Sequence, residues 1–218
     1  MPEPEIVRRP LKSRGTRWAA AAAKWAAGIG LRPNQISILS IGFAALACGC
    51  LVLTSHVDEG TRVWLFVGAA AGVQLRLLCN MLDGMVAVEG GLRTKTGEIY
   101  NELPDRFADV LILAGAGYSL GTSPTLTALA WGAAVGAVIT AYIRALGVAA
   151  GASQYFLGPM AKPHRMAVIT VACLGTALAL ALKKPFSLIQ PALWIIVIGC
   201  AITAARRCIR IARELEAK

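Results

Sequence analysis

The sequence has two histidines, and its six cysteines form no Cys-x2-Cys pair. No histidine and cysteine group shows zinc-ligand spacing, so a structural zinc module is excluded. Cys48, Cys50, Cys79, Cys173, Cys200 and Cys208 lie mostly inside apolar blocks and read as small packing residues. Charge is also scarce. Asp, Glu, Lys and Arg make up 16% of the chain, against about 25% in soluble domains. What charge there is leans basic, with 22 Lys and Arg against 12 Asp and Glu. These basic residues form no stripe of the kind nucleic acid needs. They sit at the ends of apolar blocks, where the positive-inside rule and anionic lipid head groups place them. A cleavable signal peptide is missing too. The first residues are charged, and continuous apolar sequence begins only near Ile36.

Apolar sequence is what the chain has in excess: hydrophobic residues are 56% of it. They are gathered into blocks long enough to cross a ~30 Å hydrocarbon core. The blocks are Ile36 to Leu53, Val63 to about Ala87, Phe107 to Leu120 with a start near Pro104, Leu126 to Val148, Met166 to Leu182, and Ala192 to Ala205 with a start near Ile189. Residues 1–35 carry Arg8, Arg9, Lys12, Arg14, Arg17 and Lys24 with Trp18 and Trp25. That pattern suits a helix on the membrane surface, or equally a loose basic arm that sets orientation. The expected fold class is an all-α integral membrane protein: six transmembrane helices over 36–218, preceded by a surface amphipathic segment over 1–35. Six spans put both termini on one side. Arg93 and Lys95, Lys162 and Arg165, and Arg206, Arg207, Arg210 and Arg213 make that side cytoplasmic, although Lys183 and Lys184 run against the pattern. The expected location is an inner (plasma) membrane.

One stretch interrupts the apolar pattern. It reads Asn80, Asp83, Gly84 and Ala87, then Gly97, Asn101, Asp105 and Asp109. Carboxylates inside a span cost about 2.5–3.5 kcal/mol on insertion scales and usually mark function. Asn80 and Asp83 are three apart, and Asn101, Asp105 and Asp109 are four apart, so each set lines one helix face. A short link makes the two helices antiparallel neighbours, and their oxygen-bearing side chains converge. Such all-oxygen sites suit Mg²⁺ working with carboxylates and substrate phosphates. Gly84 and Ala87, on the face of Asp83, leave room for a ligand or for close helix packing. Arg76 lies inside a span, where it either snorkels or pairs with an acid of the cluster.

These residues resemble the CDP-alcohol phosphotransferase family, whose pattern is D-x2-D-G-x2-A-R-x8-G-x3-D-x3-D. This chain has N-x2-D-G-x2-A-V-x8-G-x3-N-x3-D, with every spacing kept. The run Arg32-Pro33-Asn34-Gln35-Ile36-Ser37 resembles the family's entry to its first span. The resemblance implies a membrane enzyme that moves a substituted phosphate from a CDP-linked lipid donor, usually CDP-diacylglycerol, to an alcohol or alcohol-phosphate acceptor, releasing CMP. By position it implies a metal shell of Asn80, Asp83, Asn101 and Asp105 holding one or two Mg²⁺ or Mn²⁺ ions. Asp105 would be the general base, and Asp83, Gly84, Ala87 and Gly97 would form the CDP pocket. It also implies a homodimer. A basic set of Arg144, Lys162 and Arg165 on the same face is the candidate acceptor-phosphate site.

The departures are Asn80, Asn101 and Val88. Carboxamides ligate hard cations but bring no charge. Three outcomes follow: one tight metal with a second recruited by substrate, compensation by Glu98, Glu102 or Asp109, or an inactive site. The last makes a non-catalytic relative that binds CDP-lipid or metal the alternative to the enzyme.

Overall fold

The computed structural model describes residues 16–89, 91–92, 96–119, 121, 123–184 and 186–218. The basic arm before Thr16, together with Arg93 and Lys95, lies outside the described residues, as do the side chains of Glu89 and Glu98. Among the described residues there are seven helices and no strand. They are α1 (Arg17–Gly28), α2 (Pro33–Leu53), α3 (Glu59–Glu89), α4 (Gly97–Gly117), α5 (Pro124–Ala149), α6 (Lys162–Ala181) and α7 (Ile189–Glu216).

The helix starts follow from local chemistry. Proline stands in the first turn of α2, α5 and α6, where its missing N–H has no partner to lose. Ser123 caps α5 by accepting from the Leu126 N–H at 3.1 Å. Asp58 caps α3, accepting from the Thr61 hydroxyl at 2.6 Å and its N–H at 3.1 Å. Those bonds, the hydroxyl first, hold the Asp58 carboxyl below the usual carboxylate range. Gly30, at φ +83°, supplies the left-handed residue that ends α1.

Five helices, α2, α3, α5, α6 and α7, are long and apolar enough to cross a membrane. The sixth expected span, α4, has 21 residues, but it carries Glu102, Asp105, Arg106 and Asp109. It also starts earlier than its apolar stretch, and Pro104 sits inside it. Helix α7 likewise runs past Ala205 to Glu216, because the Arg-rich tail is made of strong helix formers. Helix α1 has 12 residues, about 18 Å of rise, too short to span. Its buried face is Ala19, Ala23 and Ala26, packed with Met81, Met85 and Val86 of α3. Trp18 and Trp25 stand exposed on it.

Helices α2 to α7 pack as a closed ring. α2 lies on α3, α3 on α6, α6 on α7, α7 on α5, α5 on α4, and α4 back on α2. The seams are built of small residues: Ala44 and Ala47 on α2, Ala69 and Ala70 on α3, Ala108 and Ala116 on α4, and Ala130, Ala133, Ala134 and Ala137 on α5. Small residues let backbones approach closely where lipid supplies no hydrophobic drive. Gly72 is one such contact. A Cβ there would meet the Phe43 carbonyl oxygen and the Ala47 Cβ at 3.0 Å. The ring brings the end of α3, the start of α4 and the start of α6 together.

Candidate functional site

Asn80 and Asp83 sit near the end of α3, Asn101 and Asp105 in the first half of α4, and Asp109 just past its middle. The structure brings the two sets together. The Asn80 amide nitrogen donates to Asp105 Oδ1 at 3.1 Å and to Asn101 Oδ1 at 3.5 Å. Asp83 is buried and lies within electrostatic reach of Asp105 and Lys162. Its Oδ2 accepts from the Ser37 hydroxyl at 2.6 Å, and its Oδ1 from the Gly84 N–H at 2.5 Å. Gly84 and Ala87 on α3 and Gly97 at the start of α4 are half-buried.

Lys162, the first residue of α6, reaches into this set. Its ammonium donates to Asn80 Oδ1 at 2.5 Å and to Asp105 Oδ2. Asp105 also faces Arg76, at 3.4 Å from Oδ1, and Arg106, at 3.8 Å from Oδ2. Deeper in the bundle, Asp109 is fully buried, with one oxygen on Arg76 at 2.8 Å and the other on Arg165 at 2.7 Å. Arg165 also donates to the Met160 carbonyl at 2.8 Å and approaches the Thr140 hydroxyl at 3.4 Å. Glu102 accepts from Arg144 at 2.6 Å, and Arg144 lies over the Phe156 ring. The acid and basic candidates therefore interlock. Arg144 and Lys162 keep partly open edges, while Arg165 is sealed inside.

The donor chemistry bears on a divalent cation. Two carboxylates and two carboxamides are hard oxygen donors of the kind Mg²⁺ and Mn²⁺ accept. Among the described residues, no three His, Cys, Asp or Glu side chains converge as a metal group, so carboxamides have to complete the set. Asp83 is the carboxylate of this cluster without an ion-pair partner among the described residues.

No family model matches the chain. The chain is 28% identical over 189 residues to the phosphatidylinositol phosphate synthase of Mycolicibacterium smegmatis, covering 85% of this chain and 79% of that one. Over 115 residues it is 32% identical to the bifunctional IPC transferase and DIPP synthase of Rubrobacter xylanophilus, covering 53% of this chain. It spans only 24% of that longer relative. Its fold superposes on the phosphatidylinositol phosphate synthase of Mycobacterium tuberculosis with CDP-DAG bound, at a TM-score of 0.68 and 21% identity, over 90% of this chain and 94% of that one. The same enzyme in complex with manganese and citrate gives 0.69 at 20% identity, over 88% of each chain. The fold is the one those synthase structures have.

Two partners escaped the sequence reading. Ser37 stood in a recognised entry run, but nothing in the sequence joined it to Asp83, 46 positions away. Lys162 was marked for an acceptor, and its bond to Asn80 spans 82 positions. A cleft of about 630 Å³ lies at the opposite end of the bundle, by Ser119, Ser123, Ser187, Gln190 and Trp194. It holds no titratable side chain of the motif.

Proposed function

We propose that this chain is a CDP-alcohol phosphotransferase. It transfers a phosphatidyl-type group from a CDP-linked lipid, CDP-diacylglycerol, to an alcohol phosphate of the inositol phosphate class, and releases CMP. The observation that carries this reading is the meeting of Asn80, Asp83, Asn101 and Asp105 across α3 and α4 at the spacing of the family motif. The relatives named phosphatidylinositol phosphate synthase, which match most of the chain, support the donor and acceptor class.

The reaction joins the acceptor oxygen to the lipid-side phosphorus. The phosphorus bond to the bridging oxygen of CMP breaks, and CMP leaves with the electron pair. Asp105, at the head of the site, takes the hydroxyl proton as that oxygen attacks. Asp83, pinned by Ser37 and the Gly84 N–H, faces the donor pyrophosphate with Gly84, Ala87 and Gly97 beside it. Arg144, held by Glu102 and Phe156, and Lys162 present cations to the acceptor phosphate. Arg165 acts as a positioning residue through Asp109 and the Met160 carbonyl. Asp83, Asp105, Asn80 and Asn101 would hold Mg²⁺ or Mn²⁺, which supplies charge neutralisation of the pyrophosphate. Position and charge do most of the work in such a transfer.

In the membrane, α2 to α7 are the six spans and residues 36–218 the catalytic domain. Helix α1 lies at the interface, with Trp18 and Trp25 among head groups. The site and both termini face the cytoplasm, and the chain works as a homodimer, as the family resemblance implies.

The test is CMP release from CDP-diacylglycerol across a panel of alcohols and alcohol phosphates, with Mg²⁺ or Mn²⁺. Asp105→Asn should lower the rate by about 10²-fold or more while the protein stays folded. Turnover kept in that variant would refute Asp105 as the base. The saturated bonding of Asp105 and the carboxamides at 80 and 101 favour a second reading, a non-catalytic binder of CDP-lipid. Metal-dependent CMP release with any acceptor excludes it.

A further inference from the structure

Lys162 occupies an unusual place for a residue that only attracts an acceptor. We propose that its ammonium is a resident cation of the motif, so that the site takes up one divalent ion per chain and not two. The inference rests on the phosphotransferase reading and specifies its metal chemistry.

Three observations carry it. First, Lys162 bonds to both motif helices at once, to Asn80 Oδ1 on α3 and to Asp105 Oδ2 on α4. Those are two of the oxygens that would otherwise be offered to a metal ion. Second, the segment that delivers Lys162 is fixed from behind. The Met160 N–H donates to the Thr203 hydroxyl at 3.0 Å, and its carbonyl accepts from Arg165 at 2.8 Å. The Leu157 carbonyl accepts from Arg207 Nε at 2.9 Å, and the His164 ring nitrogen sits 2.8 Å from the Pro159 carbonyl. The lysine is therefore aimed by α7 as well as by α6.

Third, the charge leaves room for no more than one ion. Asp83 and Asp105 contribute two negative charges, and Lys162 removes one. Among the described residues, the other nearby acids are committed elsewhere, Asp109 to Arg76 and Arg165, and Glu102 to Arg144. A carboxamide at 80 fits this arrangement, since it can donate to Asp105 while accepting from Lys162. A carboxylate could not make the first of those bonds. One divalent ion leaves the set slightly positive before the donor pyrophosphate arrives. A second would crowd further positive charge against Lys162, Arg76 and Arg106, with no carboxylate left among the described residues to balance it.

The experiment is a Mn²⁺ titration of the full chain in lipid, with saturating CDP-diacylglycerol, read by electron paramagnetic resonance and by bound metal per chain. The expected result is one Mn²⁺ per chain with an uncoupled signal. The triple variant Asn80→Asp, Asn101→Asp, Lys162→Met should bind two, with a dipolar-coupled signal. Two ions on the unaltered chain, or none, overturns the inference, and so does a folded triple variant that still binds one. If the triple variant fails to fold, the count on the unaltered chain decides. CMP release measured on the same sample separates the two claims. One ion with no release from any acceptor sinks the enzyme reading and leaves Lys162 its role. Release with two ions sinks the role of Lys162 and keeps the enzyme.

Discussion

Asp109 has an arginine on each carboxylate oxygen, and both arginines are buried with it. Arg76 Nε and Nη1 and Arg165 Nε have no hydrogen-bond partner among the described residues. Removing the acid would take from Arg165 its ion-pair partner and leave Arg76 with Asp105 alone. Asp109→Asn should therefore destabilise the protein by about 3–5 kcal/mol, measured as a fall in thermal unfolding temperature in detergent. An unchanged unfolding temperature would mean the triad does not support the bundle. The motif itself was legible in the sequence, because its meaning lies in short spacings along two helices. Arg76 was not. Snorkelling and pairing look alike in one dimension, and only the packing of α3 on α4 and α6 puts its guanidinium on Asp109 and Asp105. Asp109 offered itself as a compensating ligand or as an ion-pair partner, and its surroundings give it the pairs.

Helix seams here are set by what is small. At Gly72, α2 and α3 are in backbone contact. Gly72→Val should force them apart and cost about 1–3 kcal/mol, readable in the same unfolding assay. A neutral result would show that the seam has slack. The start of α3 gives a pH prediction. Because its bonds to Thr61 lower the Asp58 carboxyl in the folded state, the cap is fully present above about pH 4. It is lost as pH falls through the lowered value. Amide exchange at Thr61 should lose its protection on that acid limb and not on the alkaline one. Helix ends were the least legible elements. α4 begins in polar sequence at Gly97, and α7 continues beyond the apolar block to Glu216. There its tail fastens the segment after α5. Glu214 accepts from the Ser153 N–H and hydroxyl at 3.0 and 2.9 Å, and Arg210 lies over the Tyr155 ring. Hydropathy marks what faces lipid, and says nothing of a helix that goes on to hold a loop.

At the scale of the whole molecule, the six apolar blocks of the sequence became the six helices of the ring, in order. The order of neighbours around the ring was not legible. The buried residues of these helices, from Ala47 on α2 to Ile112 on α4 and Ile169 on α6, carry no signature in the sequence of which helix they will meet. The same ring explains why a site can sit at one end. Three helix termini meet there, at the end of α3 and the starts of α4 and α6. The proposed cytoplasmic placement of both termini predicts that cysteine-reactive, membrane-impermeant reagents will label Cys208 only after the cytoplasmic face is exposed. Labelling of intact cells or spheroplasts from outside would reverse the topology.

The central claim is that this bundle makes a phospholipid from CDP-diacylglycerol and an alcohol phosphate. The most direct test is to incubate the purified protein with both and Mn²⁺, and to quantify CMP and the new lipid together by mass spectrometry. The account predicts one lipid product per CMP, with an inositol phosphate among the accepted acceptors, and neither product from Asp105→Asn. CDP-diacylglycerol that binds and stays intact with every acceptor would contradict it.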